Sequence, residues 1–158
     1  MVGPYAWRAA ALAICLVAVP AAAQPFAPFL GSWNGSGKVV INDGRTEQIK
    51  CSGYYRSSET SNTFGVSLRC ASPSYSIQLR SNLSVAGSQV SGSWEERTFN
   101  LQGHVTGRID SGRITVSIHG GPFNAAMSIA VAGSSQAVVL TAQGSGLKEV
   151  RMTLSRAQ

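Results

Sequence analysis

Leu101-Gln-Gly-His-Val-Thr-Gly-Arg-Ile-Asp-Ser-Gly-Arg-Ile-Thr-Val-Ser-Ile-His119 is the stretch that decides the fold. Every second residue is apolar or glycine up to Ile109, and the alternation resumes at Ile114, Val116 and Ile118. That is the period of half-buried strands, not of helices. A two-residue loop at Ser111-Gly112 sets Ile109 against Ile114 and Val105 against Ile118, so both strands turn their apolar positions the same way.

The same test holds outward in both directions. Gly87-Ser88 pairs Val85 with Val90 and Leu83 with Gly92, and Gly133-Ser134 pairs Ile129 with Val138 and Met127 with Leu140. Around Asn42-Asp43-Gly44 the parity asks for three loop residues, which suits a type I turn followed by Gly44 in the left-handed region. Alternation continues from Trp33 to Ile41, from Ile49 to Tyr55, from Val66 to Cys70, from Tyr75 to Leu79 and from Val150 to Leu154. The chain therefore reads as all-β, an antiparallel up-and-down meander of about 8–10 strands closed into a barrel, since closure removes the exposed edges. A two-sheet sandwich is the alternative, because the sequence does not show whether the first and last strands meet.

Upstream of the strands, Arg8, an apolar run from Ala9 to Val19, then Pro20 and Ala21-Ala22-Ala23 have the order of a secretory signal peptide over residues 1–23. The run is too short for a spanning helix of about 20 residues, and no later segment supplies a transmembrane helix. Leu12-Ala13-Ile14-Cys15 places isoleucine where a lipobox needs a small residue, so cleavage after Ala23 is the expected processing. Residues 24–30, with Pro25 and Pro28, are an extended lead-in whose Phe26 and Phe29 plug one barrel end, and residues 31–158 form a single domain. The expected location is periplasmic or secreted. Cleavage removes Cys15, and in an oxidising compartment Cys51 and Cys70 pair. Setting them opposite each other also sets Gly53 against Leu68 and Tyr55 against Val66, all on the apolar face.

Chemistry is sparsely signalled. Thirteen Lys and Arg stand against seven Asp and Glu, a basic excess suited to an anionic envelope surface. The basic residues are scattered singly, so nucleic acid is not an expected partner. No motif for a cofactor, no G-x-S-x-G elbow and no C-x-x-C pair occurs. His104 and His119 fall opposite each other on the polar face, with Gln102, Thr106, Arg108 and Ser117 around them and no third ligand, so no metal site is expected. Glu96 shares the inward face with Trp94, where pairing with an arginine is the expected structural role. Catalytic residues are not recognised, and the chain reads as a binding protein and not as an enzyme. A hydrolase or a metal-binding protein is the weaker reading.

The candidate ligand-binding residues are the inward aromatics Trp33, Tyr55, Tyr75, Trp94 and Phe99 together with Met127. Inward glycines at 35, 37, 53, 92, 103 and 107 have two readings: they leave an internal pocket, or they relieve crowding in a strongly bent barrel. The first makes the protein a carrier of an apolar or amphiphilic small molecule or an envelope component; the second makes it a structural envelope protein with a filled barrel.

Gly31-Ser32-Trp33, followed by Asp43-Gly44 and Gly53-Tyr54-Tyr55, resembles the opening of the calycin barrels, the lipocalins and avidins. The resemblance implies that Trp33 closes the barrel base and that Arg151 or Arg156 from the last strand packs over it. An avidin would carry a polar residue where Gly35 stands and several ligand-stacking tryptophans where this chain keeps Trp94, so biotin is not implied. The whole pattern, with its two cysteines and the repeated Gly92-Ser93-Trp94, is also similar to small exported proteins of alphaproteobacteria. That likeness implies a periplasmic location and no particular reaction.

Overall fold

The computed structural model describes residues 24–58 and 62–158; the expected signal peptide lies outside them. Ten strands follow one another: β1 (Gly31–Ile41), β2 (Thr46–Ser57), β3 (Thr63–Ala71), β4 (Ser76–Ala86), β5 (Gln89–Glu96), β6 (Leu101–Asp110), β7 (Arg113–Gly120), β8 (Phe123–Ala132), β9 (Ser135–Gln143) and β10 (Leu147–Arg156). Each pairs antiparallel with the next, and β10 returns to pair with β1, from Trp33 opposite Arg156 to Val39 opposite Val150. The sheet is a closed barrel, so the sandwich alternative falls.

Turn chemistry sets the register at each tested hairpin. Ile109 faces Ile114, Val85 faces Val90, Ile129 faces Val138, and Gly44 has φ +87° at the end of the three-residue loop. Cys51 lies opposite Cys70 and is bridged to it. The bridge ties β2 to β3 on the inner wall, where both residues are buried.

Most inward glycines mark places where a neighbouring strand comes too close for a side chain. A Cβ would stand 2.0 Å from the Thr153 carbonyl oxygen at Gly35, 2.0 Å from that of Arg151 at Gly37, and 1.8 Å from that of His119 at Gly103. Gly92 and Gly107 meet carbonyls of β4 and β7 in the same way. These glycines let the sheet coil tightly and do not hold space open. Gly53 differs, since its nearest neighbour is the Leu68 side chain at an ordinary 3.5 Å.

The two ends of the barrel are built differently. Where β10 finishes and β1 begins, the lead-in is not extended as expected: Ala27–Phe29 makes a short 3-10 turn that seats Phe26 and Phe29, both fully buried, in the opening. Two prolines and bulky apolar neighbours favour that compaction over a free extended arm. Phe26 stacks on Phe64 at 4.9 Å, and the Trp33 indole N–H donates to the Phe29 carbonyl at 2.7 Å. The Arg156 guanidinium sits 4.3 Å over the Trp33 ring and donates to the Pro28 and Leu30 carbonyls, whereas Arg151 pairs with Glu149. Trp33 thus closes the base, and Arg156 is the arginine that covers it.

Replacing Gly103 with Ala should destabilise the fold by about 3 kcal/mol, because backbone and not a flexible side chain occupies the space. Gly53→Ala should be tolerated, and urea unfolding of the two variants measures the difference. Removing the bridge, which closes a loop with a sequence separation of 19, should cost on the order of 3 kcal/mol in the Cys51→Ser/Cys70→Ser variant by the same assay.

Candidate functional site

The end opposite the plug carries five turns, and three of them are braced by side-chain hydrogen bonds. Glu47 of β2 accepts hydrogen bonds from the Ser72 hydroxyl at 2.7 Å and the Ser74 amide at 3.1 Å, holding the β3–β4 turn. These donors, the Ser74 and Ser72 hydroxyls foremost, keep its carboxyl below the usual carboxylate range. The Asn42 amide N–H donates to the Gly146 carbonyl at 3.0 Å, and its side-chain amide donates to the Ser145 carbonyl, holding the β9–β10 turn.

Glu96 holds the third turn, and here the expected arginine pair is corrected. Its carboxylate accepts backbone N–H bonds from Gln78 at 2.7 Å, Thr98 at 3.1 Å and Phe99 at 2.7 Å. The turn that follows β5 leaves free amides facing the end of its own strand, and a carboxylate there satisfies them better than a distant guanidinium could. Burial by itself raises the Glu96 carboxyl, but the Gln78, Phe99 and Thr98 amides outweigh it and leave the group below its ordinary value.

The inward residues at this end are apolar. Tyr75 and Phe99, from two of these turns, approach to 6.4 Å between ring centres, and Phe99 is half-exposed. The Tyr75 hydroxyl reaches the β9–β10 turn, so close to Gly146 that a Cβ there would stand 3.1 Å from it. Below them, inward side chains of the upper wall keep part of their surface open: Leu79, Leu101 and Phe123 near the rim, then Leu68, Met127 and Leu140 deeper. Trp94 is buried in this wall; its indole N–H donates to the His119 carbonyl at 3.2 Å and its ring meets Phe123 edge-on at 5.6 Å.

The six candidate ligand-binding residues therefore divide between the two ends. Tyr75 and Phe99 meet at the opening, Trp94 and Met127 stand on the wall beneath it, and Trp33 and Tyr55 are sealed at the base. Tyr55 donates its hydroxyl to Gln136 Oε1 at 3.3 Å, and burial pushes its pKa up to about 12, so it remains a protonated donor. Leu79, Leu101 and Phe123 were not singled out from the sequence, although their alternation already placed them inward. The signal for them is the combination of an inward position with a strand end on the unplugged side.

On the outer face His104 lies opposite His119, whose Nδ1 is 2.8 Å from Asn124 Oδ1. Among the described residues no group of three His, Cys, Asp or Glu side chains is placed to hold a metal ion, and no helix is long and apolar enough to cross a membrane.

No protein-family model and no curated protein sequence matches the chain. Among solved structures, it is similar to Rv2717c from M. tuberculosis, with a TM-score of 0.71 and 14% identity over 85% of this chain and 96% of that one. It is also similar to the S-type phycobiliprotein lyase CPES from Guillardia theta, with a TM-score of 0.56 and 14% identity over 84% of this chain and 90% of that one. Both likenesses are of fold alone, and at that level they agree with the calycin resemblance. The second likeness corrects the expectation that the chain is not an enzyme. A lyase is built on this barrel, so the fold is no argument against catalysis.

Because the folded state holds Glu96 below its ordinary value, its ionisation adds stability above the usual carboxylate range near 4.5, and that contribution is lost as pH falls through the lowered folded value. Glu96→Gln should therefore cost about 2 kcal/mol at neutral pH, and the gap between variant and parent should narrow in acid. Denaturation midpoints measured from neutral to acid pH check it; a constant gap would count against the turn-capping role.

Proposed function

We propose that the protein takes up an apolar or amphiphilic small molecule through the open end of the barrel. The observation that carries this reading is the asymmetry of exposure. Phe26, Phe29, Trp33, Tyr55, Phe64, Gln136 and Leu154 are sealed at the base, where Val66 and Val131 keep some exposure, whereas Leu68, Leu79, Leu101, Phe123, Met127 and Leu140 remain partly open on the side where Tyr75 and Phe99 stand. Partly exposed inward apolar surface is costly in water and is recovered when an apolar molecule covers it. Mouths of β-barrels are a recurring place for such sites. Trp94 and Met127 supply the wall, and the paired rings of Tyr75 and Phe99 stand at the entrance. Uptake of this kind precedes catalysis as much as carriage, so the reading does not depend on which of the two follows.

The structural alternative, a filled barrel without ligand, draws support from the glycines whose space is occupied by neighbouring carbonyls. The exposure of the upper wall favours uptake over it. Residues 1–23 as a signal peptide, the Cys51–Cys70 bridge and the basic excess support a periplasmic or secreted protein working near an anionic envelope.

A neutral fluorophore such as 1-aminoanthracene tests the reading without interference from the protein's positive charge. It should bind with increased emission, and Leu79→Arg or Met127→Arg should weaken binding by about tenfold, with circular dichroism confirming that each variant is folded. Failure of the parent protein to bind, or equal binding by both folded variants, would overturn the proposal.

A further inference from the structure

The outer surface carries a second concavity that the barrel opening does not explain. Outward residues of five adjacent strands form a groove of about 930 Å³. Two rows make it up: Arg56, Gly65, Asn82, Ser93 and His104 in one, Tyr54, Ser67, Arg80, Glu95 and Gln102 in the other. Four strand spacings make it about 19 Å across. Its shape follows from side-chain size. Gly65, Ser67 and Ser93 form a low floor between longer neighbours, and Arg56 lies across Gly65, where an added Cβ would stand 3.5 Å from its Nε and 3.6 Å from its Cγ.

The chemistry of the walls limits the occupant. Arg56 and Arg80 form no ion pair among the described residues: Glu95, the acid of the groove, is the cross-strand neighbour of Arg80 but pairs with Arg97, at 3.9 Å. Two uncommitted guanidiniums offer planar, bidentate recognition of carboxylates. Asn82, Gln102, Ser67, Ser93 and Glu95 offer the mixed donors and acceptors that sugar hydroxyls require. Tyr54, half-exposed, is one of the two large hydrophobic side chains that stand out into solvent among the described residues, and its ring is a flat apolar face beside the arginines. A membrane surface suits a convex patch better than this hollow, and a nucleic acid would call for a longer run of cations.

We propose that this groove binds an acidic glycan, a chain of sugar rings bearing carboxylates, with Arg56 and Arg80 taking carboxylates and Tyr54 packing on a ring face. The site is separate from the barrel opening. It stands on outward side chains of β2 to β6, with Val66, Ser81, Trp94 and Gly103 of the row between them also bordering it, whereas the barrel mouth is lined by the inward side chains of Leu79, Leu101 and Phe123.

Calorimetric titration of the purified protein with hexagalacturonate tests it, with maltohexaose, inorganic phosphate and phosphatidylglycerol vesicles as comparison probes. Hexagalacturonate should bind and maltohexaose should not. Arg56→Gln/Arg80→Gln should weaken hexagalacturonate binding by about tenfold, while the charge-matched Arg108→Gln/Arg113→Gln protein, altered on exposed arginines outside the groove, should retain it. Leu79→Arg, which alters the barrel opening, should leave it unchanged. The proposal is overturned if hexagalacturonate does not bind, if the two double variants weaken it equally, or if phosphate or the vesicles prove the preferred and Arg56/Arg80-dependent partner.

Discussion

The seam between β1 and β10 is the pairing on which the molecule depends. Nine hairpin contacts arise between neighbours in sequence, but the barrel exists only because the first strand also meets the last. That meeting is tight. Thr153 and Arg151 carbonyls occupy the places where side chains on Gly35 and Gly37 would project, so glycine at both positions is a condition of closure. Once the seam is made, Trp33 and Arg156 fall opposite each other, and the guanidinium can lie on the indole while reaching the lead-in carbonyls. Closure of the wall and sealing of the base are one event.

The difference between the ends follows from what each offers its polar backbone. At the base, Phe26, Phe29 and Trp33 fill the lumen, and Arg156 satisfies carbonyls that the 3-10 turn exposes. The other end carries five turns. Three of them are held from the side, by Glu47, Glu96 and Asn42, which leaves the interior apolar wall partly open beneath Tyr75 and Phe99. A barrel with one stopper and one braced rim has a direction, and the proposed uptake follows it.

Much of this was legible in the chain because a two-residue period and a turn of known length leave no freedom of register. Ile109 opposite Ile114, His104 opposite His119 and Cys51 opposite Cys70 all followed from parity. Properties that depend on segments far apart in the chain did not follow. The sequence could not choose between Arg151 and Arg156 as the cover for Trp33, since the choice rests on the register of the seam. Nor did it show that Glu96 serves the amides of its own turn, because an inward carboxylate suggests a cation until the unsatisfied donors are counted. The glycines were ambiguous for a related reason: absence of a side chain can mean empty space or a close neighbour, and only the carbonyls of the adjacent strand decide between them. The polar groove was not anticipated, for it arises where five strands align their outward residues and each alone reads as solvated surface.

The seam also bears on the order of folding. Arg156 and the Leu30 carbonyl it contacts are 126 residues apart, whereas every other strand finds its partner across a short turn. Local hairpins can form as soon as their residues are available, but β1 must wait for the final strand, because closing so long a loop carries its entropic cost before any seam contact repays it. Until then β1 is an edge with unpaired amides and carbonyls, and Lys38 near its middle, together with the absence of side chains at Gly35 and Gly37, makes it a poor template for another chain. The features that permit closure at the end of folding thus also protect the unfinished sheet before it.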